Sequence, residues 1–317
     1  MTTNNKGITD NEIIINIAKI INNIIPQDKA PNISIPMYIP NSQLAKKKIL
    51  VLSGGGIKGI SFLGALHALH EMSILQNMQT FAGTSVGALI LLLLIVGFTP
   101  NDIYCVIKTI DLSKFKKISV QLFLNQFGLN SGDKIMLTLE KLLKSKNISS
   151  EITFSELFEK TKKTFIVSSV NITERKVEYF SHTTHPNMKV TQAIRMSISI
   201  PFVFTPVMYN KCMYVDGGCI DNFPIFQFTD RLEELIGICI NDSDNSIRKP
   251  IETIYDYAIS VIYSVFNGMS LPIIKMYEKY IINIEIKSIN SIDFIPNETK
   301  EKLFNIGYQT VHKYFDK

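Results

Sequence analysis

The chain has 317 residues, 46% hydrophobic and 19% charged, which is enough apolar material for one large core or two modest ones and too much for a disordered polypeptide. Its formal net charge of +5, from 33 basic and 28 acidic residues, contains no long single-sign block, so nucleic-acid binding gains no support and at most a mild preference for anionic membrane surfaces follows. Cys105, Cys212, Cys219 and Cys239 are scattered without C-x-x-C or Cys/His spacing, a pattern that suits free thiols in a reducing compartment rather than zinc or a disulfide framework.

Residues 1–12 lack the basic start and apolar run of a signal peptide. The longest apolar run, 88–98, is about half of what a bilayer-spanning helix needs. A cytoplasmic protein, or one peripheral to membranes, with no transmembrane helix is expected. Residues 1–46 are read as a segment apart: Thr9-Asp10-Asn11-Glu12 is a capping box for a helix over 13–25, and Pro26, Pro31, Pro36 and Pro40 mark an extended linker. Without a basic polar face, this helix is expected to pack on the main domain rather than anchor it.

From Lys47 to the C-terminus, short apolar strands alternate with amphipathic helices. Strands are expected over 49–52 and 80–82, each followed by a helix, over 59–71 and 86–96; Thr99 then caps a helix opened by Pro100. Ser131 is read as the cap of a helix reaching about Lys144, and Thr153-Phe154-Ser155-Glu156 as a capping box. Strands follow over 165–170, 177–180, 213–215 and 235–240, with helices over 190–199, over 251–280 broken around Gly268 to Pro272, and over 298–315. Successive strand–helix units without an internal repeat imply one α/β domain, 47–317, around a largely parallel sheet.

Gly83-Thr84-Ser85-Val86-Gly87 is a G-x-S-x-G between a strand and a helix, where small neighbours permit the sharp turn that lifts a serine hydroxyl above a sheet. Alone, the pentapeptide could be an incidental glycine-rich turn. Gly54-Gly55-Gly56-Ile57-Lys58-Gly59 also follows a strand and opens a helix, where backbone amides can converge on negative charge. It lacks the spacing of a phosphate-binding loop and suits an oxyanion hole better. Asp216-Gly217-Gly218 closes a strand, a position for a catalytic carboxylate but equally an ordinary turn.

In this order, the three motifs resemble those of the patatin-like phospholipases, and 153–157, 193–201 and Asn222-Phe223-Pro224 are similar too. The resemblance covers the chain from about Lys48 onward. It implies a three-layer α/β/α fold with a mostly parallel central sheet, and phospholipase A-type cleavage of membrane phospholipids through an acyl-serine. Ser85 would be the nucleophile, Asp216 its base, and the amides of Gly54, Gly55 and Gly56 the oxyanion hole, supported by Lys58, Gly59, Gly83, Gly87, Gly217 and Gly218. A carboxylate of ordinary pKa is a weak base at neutral pH, so Asp216 is expected to be partly buried.

The resemblance further implies no cofactor, calcium-independent hydrolysis and, as for some relatives acting on host membranes, a host protein activator; it leaves the oligomeric state open. Departures from the family pattern are Ser53 in place of Asp, Lys58 in place of Arg, and the bulky Met196 and Ile200, which bear on the acyl pocket. Two other readings compete: an α/β-hydrolase triad would need His312, and a catalytically silent lipid-binding or host-interaction protein could keep the same scaffold. Asp242-Ser243-Asp244-Asn245-Ser246 looks superficially like a calcium loop, but Ile247 stands where its glycine belongs, and a solvated turn is expected.

Overall fold

The structure is a computed structural model that describes residues 44–110, 119–241, 251–286 and 296–316. The helix expected over 13–25, its linker and the turn at 242–246 lie outside the described residues. In chain order, the elements are β1 (Ile49–Leu52), α1 (Ile60–Glu71), β2 (Thr80–Thr84), α2 (Val86–Ile95), α3 (Pro100–Thr109), α4 (Val120–Gln126), β3 (Gly128–Asn130), α5 (Asp133–Ser145), α6 (Phe154–Thr161) and β4 (Thr164–Asn171). There follow β5 (Lys176–Phe180), α7 (Val190–Ser197), β6 (Phe202–Phe204), β7 (Val207–Tyr209), β8 (Cys212–Asp216), β9 (Leu235–Asn241), α8 (Ile254–Met276), β10 (Ile281–Glu285) and α9 (Asn297–Phe315).

β10, β9, β1, β2 and β4 form a parallel sheet in that order. Every residue of β1 and β9 is buried, as strands covered on both faces require. Alternation along β1 divides the core: Leu50 and Leu52 join Phe62 of α1, Leu91 of α2 and Leu303 of α9 on one face, whereas Ile49 and Val51 join Phe223 and Ile274 of α8 on the other. The result is the expected three-layer α/β/α arrangement.

β5, β8 and β7 extend this sheet antiparallel, beginning with β5 and β8 on β4. β4 is paired with β5 over Val167 to Asn171 on one edge, so β2 and β8 share its other edge. β2 runs along that edge up to Ser168, the partner of Thr84, and β8 runs in from the opposite direction down to Ser169, the partner of Asp216. Two strands distant in sequence therefore end against each other at adjacent residues of β4. Asp216 thus ends an antiparallel strand and lies outside the largely parallel part of the sheet that the strand–helix alternation predicts.

The capping boxes at Thr99 and Thr153 are present, with Asp102 and Glu156 reciprocating. Ser131 is not the cap of α5; Gly132, left-handed at φ 76°, occupies that position, and Ser131 bonds instead to the Asp133 side chain. Nor does α8 break at Pro272. Gly268, whose carbonyl Pro272 deprives of a donor, is exposed like Pro272 itself, so water can serve that carbonyl and the helix continues. The short strands β3, β6 and β7 and helix α4 were not legible beforehand.

Candidate active site

Ser85 is the hinge between β2 and α2, with φ 54° and ψ −127°. A non-glycine residue in this sparsely populated region costs about 1–3 kcal/mol and persists only when its surroundings fix it. They do so here from several sides. The Ser85 amide donates to Ser197 Oγ of α7 at 2.8 Å. A Cβ on Gly83 would meet the Ala88 amide nitrogen at 2.7 Å, and one on Gly87 the Ser53 carbonyl oxygen at 2.4 Å, so both flanking glycines are required by close approach. Thr84 Oγ1, one residue earlier, pairs with Ser168 Oγ at 2.6 Å and donates to the Asp221 carbonyl at 3.0 Å.

The meeting of β2 and β8 brings Asp216 to Ser85. Asp216 is fully buried, and its Oδ1 accepts from the Gly218 amide at 2.8 Å. Burial pushes its pKa up to about 7, against the lowering influence of the Ser85 hydroxyl and the Gly218 amide. The hydroxyl is thus close to the carboxylate, while Oδ2 has no hydrogen-bond partner of regular geometry among the described residues. Gly217 passes over β4 so closely that a Cβ there would lie 2.4 Å from Ser168 Oγ.

The glycine loop completes the group. A Cβ on Gly54 would sit 3.3 Å from that of Ser85 and 2.4 Å from Asn222 Oδ1, and one on Gly59 would strike Val86 at 2.7 Å. Gly56 holds φ 52° and opens a short 3-10 turn, Gly56–Gly59, ahead of α1. The Gly54 amide already donates to the Asn222 carbonyl at 2.9 Å, which removes it from the expected set of three oxyanion donors. Gly55 and Gly56 donate no backbone bond among the described residues.

A scan against family models matches the patatin-like phospholipase model over residues 50–229. The chain belongs to the patatin-like phospholipase family. It is 32% identical over 293 residues to the uncharacterized protein R571 of Acanthamoeba polyphaga mimivirus, a match spanning 88% of this chain and 96% of R571. It is 40% identical over 184 residues to "Probable lipid hydrolase 463L" of Invertebrate iridescent virus 6, covering 56% of this chain and 62% of that protein. Among solved structures, VipD from Legionella pneumophila shares the fold at a TM-score of 0.59 and 22% identity, over 86% of this chain and 67% of VipD. Family membership makes the chain a hydrolase, with lipid as its substrate class.

The departures from the patatin-like pattern have structural accounts. Ser53 ties the glycine loop to β9: its Oγ accepts from the Ile240 amide at 3.1 Å and donates to the Gly54 carbonyl at 2.8 Å. Lys58 is buried within the turn, its carbonyl accepting from Ser61 Oγ. Met196 points into the main core, whereas Ile200 packs against Ile262 and Phe266 of α8, so only Ile200 borders the helix that covers the site. His312 lies on α9 with its ring on Tyr308, and no contact among the described residues brings it to Ser85.

Sequence reasoning missed Ser197 as the partner of the Ser85 amide and Asn222 as the bridge from the Asp216 loop to Gly54. Both stand in segments that the family resemblance had picked out. Also missed was Asp221, which is buried, accepts from Tyr179 Oη at 2.6 Å and holds the Phe223 amide at 3.1 Å. The available signal was the polar pair Asp221-Asn222 set between apolar Ile220 and Phe223 just after Asp216.

Proposed function

We propose that this hydrolase cleaves acyl esters of membrane phospholipids through an acyl-Ser85 intermediate, with Asp216 as general base. The observation that carries the reading is the junction of β2 and β8 on β4, which sets a strained serine against a fully buried carboxyl group. With a pKa near 7, Asp216 is half ionised at neutral pH, which is where a general base works best. Catalytic hydrogen bonds in unliganded sites are often imperfect and tighten with substrate, which accounts for an Oδ2 that awaits a partner.

Ser85 Oγ attacks the ester carbonyl carbon while its proton passes to Asp216 Oδ2. The carbonyl oxygen becomes an oxyanion held by the Gly55 and Gly56 amides, with the positive end of α2 below. Collapse of this intermediate expels the alcohol oxygen, which takes the proton from Asp216 and leaves as the lysophospholipid. Water then attacks the acyl-serine and gives its proton to Asp216; breaking the Ser85 ester returns that proton to Oγ and releases the fatty acid. Each proton transfer is served by one carboxyl group, and no step calls for a metal ion, so we further propose that hydrolysis is calcium-independent.

Incubating the purified chain with mixed phospholipid vesicles and analysing the products by mass spectrometry tests this reading. Fatty acid and lysophospholipid should appear with wild type, in chelator as well as in calcium, and not with Ser85→Ala; His312→Ala should keep the activity. Hydrolysis that survives Ser85→Ala, or is lost only in His312→Ala, sinks the dyad. Absence of turnover until cell extract is added would instead indicate a protein activator.

A further inference from the structure

α8 carries apolar residues on both of its faces. Its inner row, Ile262, Phe266, Ser270 and Ile274, is buried. Phe266 presses on Gly218 so closely that a Cβ there would meet its ring at 2.9 Å, and Ser270 Oγ accepts from the side-chain Nδ2 of Asn222 at 3.2 Å. Asn222 in turn abuts Gly54 beside Ser85. The inner face therefore closes over the active-site loops, with one side chain between helix and glycine loop.

Among the described residues, the outer face has no such partner. Tyr257, Val261, Val265 and Leu271 are 61%, 46%, 44% and 41% exposed. Asp256 and Lys275 bound a stretch without a single charge, and an 18-residue window within Asp256–Met276 has a mean hydropathy of 1.5 with only 28% of it buried. Surface helices ordinarily place charged residues on the solvent side. By length and composition this helix could cross a bilayer, but spanning would strip Phe266 and Ser270 from the loops they hold.

A second exposed apolar surface adjoins α8. α8 packs on β6, β6 pairs with β3, and Phe202 of β6 lies against Phe123 of α4 with ring centroids 6.3 Å apart. On α4, Val120 and Leu124 are 66% and 72% exposed, and residues 119–132 contain no charged side chain.

We infer that the outer face of α8, together with the adjoining surface of Phe202 and α4, is the surface by which this protein docks on a phospholipid bilayer. The inference rests on the phospholipase reading above, since the patch lies on the helix that closes over the Asp216 loop and the substrate resides in a membrane. A charge-free apolar face inserts shallowly among acyl chains and needs no anionic headgroup. Binding is therefore to zwitterionic lipid and weakly dependent on salt, in contrast to attraction through the net positive charge.

Flotation of the full chain carrying Ser85→Ala with phosphatidylcholine vesicles, at low and high salt, measures docking without hydrolysis. The protein should float at both salt concentrations, and adding Val261→Asp and Val265→Asp should cut partitioning by more than about tenfold. In the active background, those two substitutions should leave turnover of a soluble monomeric ester unchanged and slow vesicle hydrolysis to a similar degree. Leu124→Asp on α4 provides an independent variant should the double one fail to fold. Flotation and vesicle hydrolysis equal to wild type in these variants overturn the inference. So does a sedimentation-detected dimer that the substitutions dissociate, because a second copy would then cover the face. Absence of ester hydrolysis by wild type even with cell extract added would sink the catalytic reading, while flotation still decides the docking.

Discussion

The amide of Ser85 donates to the hydroxyl of Ser197 across 2.8 Å, joining the turn that carries the serine to the last residue of α7. This bond helps hold Ser85 at a positive φ that a serine does not adopt by preference. Ser197→Ala leaves that buried N–H without an acceptor, and a relaxed turn moves Oγ away from Asp216. We expect kcat to fall by about tenfold to a hundredfold with a smaller change in KM. Steady-state kinetics on a soluble ester check this, and an unchanged kcat removes Ser197 from the positioning of the nucleophile.

The dyad itself predicts larger losses. Ser85→Ala and Asp216→Asn should each lower kcat/KM by at least about a thousandfold. A double variant should be no worse than either single one, because both remove the same step. A fluorophosphonate probe should label wild type and not Ser85→Ala.

Activity and stability respond oppositely to the ionisation of Asp216. The base is active when ionised, so kcat/KM should rise with pH and level off above about 7. The folded pKa lies above the ordinary 3.8, so the native state holds this proton more tightly than the unfolded chain. Its contribution to stability is complete below 3.8 and is lost as pH rises through about 7. Asp216→Asn, which removes the buried charge, should therefore unfold at a higher temperature than wild type above pH 7, with the gap narrowing as pH falls toward 4. Thermal unfolding at several pH values tests the sign; a gap that widens on acidification contradicts it.

Gly64 and Gly307 mark where α1 and α9 cross. A Cβ on Gly64 would lie 1.8 Å from the Phe304 carbonyl oxygen, and one on Gly307 equally close to that of Ser61. Alanine at either position has to push two helices apart and should cost about 1–3 kcal/mol. Denaturant titration should show a lower midpoint for Gly64→Ala, although the site is on other elements.

The local chemistry of the chain was written in the order of its residues. Apolar β-branched runs marked the buried parallel strands, Thr99 with Pro100 and the capping box at Thr153 announced their helices, and Gly83 to Gly87 announced a tight turn, because each depends on neighbours within a few positions. Tertiary structure decided what those neighbours cannot encode. It set β2 and β8 end to end on β4, so that Thr84 and Asp216 face adjacent serines. It also assigned the Gly54 amide to Asn222 and withdrew it from the oxyanion donors. It carried α8 through Pro272, because the affected carbonyl faces outward. Burial raised the pKa of Asp216, a property of surroundings drawn from distant parts of the chain. The motifs of the sequence paired Ser85 with Asp216 only through a family resemblance; the shared edge of one strand made them neighbours.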